Sequence, residues 1–295
     1  MKVIGLVHSH EKAFFPESNA YRKYFKSKED YRVEIFNSFD EASKESDCII
    51  FYCGFLPFWK NCDAKLIMEY HSLSTGRWPR LKNLVKRILN KRADGYIFLN
   101  ESTQTGFYFN SVSNYCYRSM GYSNYQVPKS LDSLEQKIVY MGTVNRQGVL
   151  STIKKLAALG FELHIIGGEL PEKIPNVITY PRMSQKDAYT IAASCTFGLN
   201  YTPDLYPYNI QDSTKLIDYC GLGMRVITNK YQWVYDFEIE TNSCFYNVED
   251  VITLSSFDEI DQLPYREGDY SKRAWEEVID SSGVYRVVSE ALKHN

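Results

Sequence analysis

Residues 212–228 read Asp212-Ser213-Thr214-Lys215-Leu216-Ile217-Asp218-Tyr219-Cys220-Gly221-Leu222-Gly223-Met224-Arg225-Val226-Ile227-Thr228. This is a capped helix, a glycine stop and a short buried strand. Asp212 or Ser213 offers a side-chain oxygen to the first unpaired N–H groups, as an N-cap does. Leu216, Ile217 and Cys220 then recur at helical spacing. Gly221 and Gly223 stop the helix, and Val226-Ile227 opens a strand. A helix returning directly into an apolar strand is the unit from which parallel sheets are built.

The same alternation extends in both directions. Apolar runs at 3–7, 33–36, 48–52, 65–70 and 95–99 read as strands, with helices over 17–27, 40–45, 79–92 and 101–110. A polar stretch, 126–136, reads as a linker. The pattern then restarts with strands at 137–141, 162–167, 177–180, 196–201 and 225–228 and helices over 148–159, 184–193 and 213–221. Residues 272–293 read as one or two helices, with Ser281-Ser282-Gly283 as the interruption. The expected fold class is α/β, with two Rossmann-like domains facing a central cleft. Their expected bounds are 1–130 and 131–295, the terminal helices being able to pack back on the first domain. Ligands of such sheets bind at the carboxyl ends of the strands. The loops after Val7, Tyr70, Met141, Gly167, Tyr180 and Tyr201 are therefore expected to line the site.

Composition narrows the chemistry. A net charge of −2 argues against a general nucleic-acid binder. Seven cysteines, an odd number without a C-x-x-C pair, argue for reduced thiols over a disulfide scaffold or zinc site. The N-terminus reads as a first strand and no apolar run reaches the length of a membrane span. A cytoplasmic protein, soluble or peripheral at the inner face of the plasma membrane, is expected.

The opening of the 213–221 helix carries the most chemistry. Ser213, Thr214 and Lys215 place hydroxyls, free N–H groups and an ammonium at its positive end, a cradle for phosphate. Asp218, one turn on, suits a pair of ribose hydroxyls. Together they point to a nucleotide-diphosphate ligand, with an ordinary capped helix as the equal rival. Arg146, in a strand-to-helix loop, is a candidate for gripping phosphate in paired hydrogen bonds. Asn209 lies in the loop just before the phosphate helix and is a candidate for reading sugar hydroxyls.

The run Lys137-Ile138-Val139-Tyr140-Met141-Gly142-Thr143-Val144-Asn145-Arg146-Gln147-Gly148 resembles the opening of the donor domain in family-4-type GT-B glycosyltransferases (glycosyl transferases group 1). His164-Ile165-Ile166-Gly167-Gly168 resembles their next strand and glycine turn. The 212–228 segment resembles their helix carrying a ribose-binding acid, with Asp218 and Gly223 at the family's spacing. The resemblance covers about 137–230, and the N-terminal half matches in layout. It implies a hexosyltransferase moving sugar from a nucleotide-diphosphate sugar to a glycan or lipid-linked acceptor. It further implies retention at the anomeric carbon, no metal and no cofactor besides the donor, in bacterial surface polysaccharide synthesis.

Carried over residue by residue, the resemblance implies His71, Arg146 and Lys215 as catalytic residues. Gly142, Thr143, Arg182, Met183, Asn209, Ser213, Thr214 and Asp218 are the implied donor contacts, with Arg182 and Met183 near the base. The chain departs from the pattern at Thr143, Gln147 and Ile210, where the family often has Arg, Lys and Glu. An epimerase or hydrolase on the same fold, or a non-catalytic partner with a decayed donor site, stand as alternatives.

His8, His10 and Glu11 after the first strand are candidates for an acceptor-binding loop, with unspecific loop chemistry as the alternative; their spacing superficially suggests a metal, but no further ligand cluster accompanies them. Arg77 is a further candidate contact for the acceptor. The segment 80–92 is strongly basic, with an apolar stripe of Leu81, Leu84, Val85, Ile88 and Leu89. Such a helix can lie on an anionic membrane surface, or pack its stripe on its own sheet with basic residues in solvent. Core packing is the preferred reading for the stripe, with the basic side chains facing a membrane or a lipid-linked acceptor.

Overall fold

The computed structural model describes residues 1–7, 16–52, 55–124 and 136–293. The chain divides into two compact units, 1–121 with 275–295, and 122–274.

The first unit contains β1 (Lys2–Val7), α1 (Pro16–Lys26), β2 (Tyr31–Phe36), α2 (Phe39–Glu45), β3 (Cys48–Tyr52), β4 (Lys65–Tyr70), α3 (Pro79–Leu89), β5 (Gly95–Phe98), α4 (Glu101–Gly106) and β6 (Tyr115–Tyr117). Its sheet is ordered β2-β1-β3-β4-β5-β6 and every pairing is parallel. A parallel strand covered on both faces must be apolar throughout. Accordingly β3, Cys-Ile-Ile-Phe-Tyr, is buried at all five positions. The sequence reading missed β6, whose three residues are too few for a periodic signal.

The second unit contains β7 (Lys137–Met141), α5 (Val149–Ala158), β8 (Glu162–Ile166), β9 (Val177–Tyr180), α6 (Gln185–Ala192), β10 (Phe197–Asn200), α7 (Thr214–Gly221), β11 (Arg225–Thr228), α8 (Gln232–Thr241), β12 (Tyr246–Asn247) and α9 (Val248–Val251). Its sheet is ordered β12-β11-β10-β7-β8-β9, again all parallel. Counted within the unit, this is the doubly wound order 3-2-1-4-5-6. Ile138, Ile153, Leu163, Ile165, Phe197, Leu199 and Ile227 form its fully buried core. Each sheet is thus a Rossmann-like domain, as expected.

The last two helices, α10 (Trp275–Ser282) and α11 (Val284–Lys293), are separated by Gly283 at φ +82°. They belong to the first unit: α11 packs on β4 and β5, and the Tyr24 hydroxyl donates to Asp280 Oδ1 at 2.9 Å. The second unit therefore ends at Ala274, and it begins at Tyr122. The linker read over 126–136 lies, apart from Gln136, outside the described residues.

Within 212–228 the cap is Ser213, whose Oγ accepts from the Leu216 N–H at 3.5 Å. Asp212 is engaged elsewhere: it accepts from Trp233 Nε1 at 3.1 Å and lies 3.9 Å from Arg273. The helix ends at Gly221, and Gly223 turns the chain at φ +62° into β11.

One reading is overturned. The apolar stripe of α3 is not packed in the core. Leu81, Leu84, Val85 and Ile88 are exposed, and the fully buried position is Asn83. Polar side chains hold the helix in place. Asn83 Oδ1 accepts from the Ser74 N–H at 2.9 Å, the Arg87 guanidinium lies 4.3 Å from the Phe109 ring centre, and Asn90 Oδ1 accepts from the Leu56 N–H at 3.0 Å.

Candidate functional site

In a doubly wound sheet the loops leaving two adjacent strands diverge where the strand order reverses, which opens a crevice. In the second unit that point lies between β7 and β10. The loop after β7 runs through Gly142 at φ +137° to Gly148 at φ +86°, which caps α5. The loop after β10 leads through Asn209 to α7.

Two cations meet here. Lys215 Nζ lies 4.8 Å from the centre of the Tyr140 ring, and Arg146 lies 5.5 Å from that of Tyr208. The Tyr140 hydroxyl donates to the Thr143 carbonyl at 3.0 Å, which pins the loop. Gly142 faces Lys215: a side chain there would begin 3.9 Å from its Cδ. Burial first, and the charge of Arg146 second, bring the Lys215 amine down to about 7. Among the described residues no carboxylate forms an ion pair with either cation. Thr143 and Arg146 also line a cavity of about 630 Å³ with Asn145, Gly168 and Leu170.

Asp218 stands on the same helix one turn on. Burial lifts its carboxyl to about 7, against the hydrogen bond donated by Tyr189. The Ser213 hydroxyl donates to Asn200 Oδ1 at 2.7 Å, so its proton is committed within the fold. Thr214 is exposed at the first turn of α7. Asn209 donates from Nδ2 to Asp204 at 3.0 Å. Arg182 and Met183 follow β9, the edge strand, two strands away from β7.

In the first unit His71 follows β4 and joins a buried charged group. Its Nδ1 lies 3.0 Å from Glu17 Oε1 and its Nε2 lies 2.6 Å from Glu69 Oε1. Arg118, fully buried, pairs with Glu69 and lies 2.8 Å from His71 Nε2. The Tyr21 hydroxyl donates to Glu69 Oε2 at 3.0 Å. Burial works to raise the Glu69 carboxyl, but Arg118 and His71 outweigh it and hold it down to about 2. Arg77 lies elsewhere, exposed beside the Trp78 ring at 5.8 Å. His8 and His10 lie outside the described residues. Among the described residues no cluster of three or more His, Cys, Asp or Glu is set to hold a metal ion, and no helix is long and apolar enough to cross a membrane.

Sequence reasoning missed Glu17, Glu69, Arg118, Tyr140 and Tyr189. One signal was available: Glu69 is the charged residue inside the otherwise apolar run Leu66-Ile67-Met68-Glu69-Tyr70. A buried carboxylate needs a partner, yet nothing local points to Arg118, 49 residues further on.

No protein-family model matches the chain, and no curated protein matches it. Solved structures do. AviGT4, described as a glycosyltransferase involved in avilamycin A biosynthesis, is similar with TM-score 0.64 at 11% identity, over 100% of this chain and 99% of that one. Anabaena Alr3699/HepE in complex with UDP-glucose is similar with TM-score 0.63 at 12% identity, over 99% and 98%. The UDP-N-acetylglucosamine 2-epimerase of Rickettsia bellii is similar with TM-score 0.55 at 11% identity, over 100% and 97%. At such identities the likeness establishes the fold: that of the two-domain GT-B glycosyltransferases, which an epimerase shares.

Proposed function

We propose that this chain is a glycosyltransferase that moves a hexosyl group from a nucleotide-diphosphate sugar to a glycan or lipid-linked acceptor. The observation that carries this reading is that Arg146 and Lys215 come within one another's field at the crevice between β7 and β10, with no carboxylate ion-paired to either among the described residues. Two cations in one another's field, the Lys215 amine lowered first by burial and then by Arg146, make a preorganised counter-charge for a departing diphosphate, the main electrostatic need of glycosyl transfer. With the charge supplied by side chains, transfer proceeds without a metal; retention at the anomeric carbon is what the family resemblance implies.

Gly142, Thr143, Ser213 and Thr214 frame the phosphates in this reading, Asp218 takes the ribose, Asn209 the sugar hydroxyls, and Arg182 and Met183 the base. His71, its ring nitrogens facing Glu17 and Glu69, orients the donor sugar or acceptor beside the reaction. His8, His10 and Arg77 serve the acceptor. The setting is bacterial surface polysaccharide synthesis at the inner face of the plasma membrane.

A thermal-shift screen with UDP, GDP, ADP, CMP and their sugar conjugates tests the donor site, because a ligand of the native state raises its stability. A selective shift, lost in Arg146→Ala and Asp218→Ala, is expected. No shift with any nucleotide sinks the reading. Consumption of the selected donor without an acceptor, and with no product in its presence, moves the assignment to a hydrolase or epimerase.

A further inference from the structure

Helix α3 is amphipathic the wrong way round for a water-soluble fold. Its polar residues Asn83, Arg87 and Asn90, spaced i, i+4, i+7, face the protein. Its apolar residues Leu81, Val85 and Ile88 face outward, with Leu81 54% and Ile88 65% exposed. Trp78 extends the stripe by another turn. It is exposed and sits at φ +63°, a conformation that bulky residues rarely hold.

The stripe does not end with the helix. The Phe58 N–H donates to the Leu89 carbonyl at 2.9 Å, and the Lys91 N–H donates to the Leu56 carbonyl at 2.7 Å. These bonds tie the preceding loop to the helix end, so Phe58 and Trp59, 58% and 63% exposed and in edge contact, continue the apolar face. Isolated exposed apolar side chains are ordinary, but a contiguous patch of this kind marks an interaction surface.

The charge around the patch selects its partner. Seven Lys and Arg, and no Asp or Glu, fall between Glu69 and Asp94 in a chain of net charge −2. Arg80 and Lys82 stand on opposite sides of the stripe, each about 100° around the helix from Leu81. A groove of about 670 Å³ opens between Phe58 and Ile88, with Arg87, Lys91 and Arg92 also lining it. Apolar wall and clustered cations together suit a phosphate headgroup whose acyl chains lie against the wall.

We propose that α3 and the Phe58–Trp59 loop form a membrane-docking face that lies in the surface of an anionic bilayer, inserting the Trp78–Ile88 stripe and seating a lipid phosphate in the adjoining groove. This deepens the membrane setting proposed above. It rests on α3 and its loop alone, so the donor site stands or falls separately.

The test is co-sedimentation of the full chain, without donor, with phosphatidylcholine vesicles with and without phosphatidylglycerol. Binding is expected with the anionic vesicles, weakening as salt is raised. The double variant Leu81→Glu/Ile88→Glu is expected to lose at least about tenfold in partitioning, because both side chains leave the bilayer. Tryptophan quenching by brominated lipid reads the native chain directly, should the variant fold poorly. Of four tryptophans, Trp233 and Trp275 are buried, so quenching reports Trp59 and Trp78. Equal binding to both vesicle types, no binding and no quenching, or full binding by a folded double variant overturns the proposal. So does light scattering that shows a native dimer dissolved by Ile88→Glu, which makes the face a contact with a second copy.

Discussion

The Lys215 ammonium lies 4.8 Å from the centre of the Tyr140 ring, within the field of Arg146, and its amine is brought down to about 7. An amine in that state takes up a proton when an anion arrives. Below pH 7 it is already charged and uptake is small. Above pH 7 it is neutral, and a bound diphosphate draws the proton on. At pH 8 nucleotide binding is therefore expected to be accompanied by proton uptake, read by calorimetry in buffers of different ionisation enthalpy. Lys215→Met should abolish the uptake and weaken binding about 10–100-fold, the loss of a charge-assisted contact of about 1.5–3 kcal/mol.

Burial shifts the Asp218 carboxyl upward from the ordinary carboxylate range. Its folded value, about 7, exceeds its unfolded one because burial disfavours the charge. Its penalty is absent well below the unfolded value and complete above pH 7. Asp218→Asn is expected to raise stability by about 1–3 kcal/mol at pH 8 and to change little at pH 4. Urea unfolding at the two pH values measures this. The same variant should weaken ribose recognition, which separates the residue's contribution to stability from its contribution to binding.

The Glu69–Arg118 pair contributes with the reverse dependence. The Glu69 carboxyl lies near 2 when folded, below its unfolded value. Its stabilisation is present above the unfolded value and is lost as pH falls toward 2. Glu69→Gln leaves Arg118 buried without its countercharge and should cost about 3–5 kcal/mol at neutral pH. The double variant Glu69→Gln/Arg118→Met should cost less than the sum of the two single changes. Denaturant midpoints across the four proteins decide this.

Gly148→Ala should be costly although the side chain added is small. Gly148 holds φ +86°, and a Cβ there would lie 2.4 Å from the Tyr201 hydroxyl oxygen. Strain and displacement of Tyr201 together predict a loss of about 1–3 kcal/mol, read from a urea titration. Because Gly148 closes the loop that carries Arg146, nucleotide affinity should fall as well.

Most helices and strands of both sheets were legible because each leaves a local signature; α8 and α9 were missed. Strands buried on both faces, such as 48–52 and 137–141, read as short apolar runs. Helices such as 184–193 begin at a capping serine, and Ser184 does accept from the Asp187 N–H at 3.2 Å. Short elements without such signals, β6 and β12, were not legible. The terminal helices read as able to pack back on the first domain, and α10 and α11 do belong to the first unit; helix period alone does not name the sheet a helix will cover.

By itself the sequence determined an alternation of apolar strands and capped helices, hence two parallel sheets, and the gathering of Thr214, Lys215 and Asp218 on one helix. These follow from period, capping and chain proximity. Only the tertiary structure decided that Lys215, beside the Tyr140 ring, comes within the field of Arg146, that Glu69 meets Arg118, and which face of α3 is covered. Each depends on groups distant in the chain. A stripe of Leu81, Val85 and Ile88 shows that a helix has two faces. Ser74, Phe109 and Leu56, by taking up Asn83, Arg87 and Asn90, decided that the polar face turns inward.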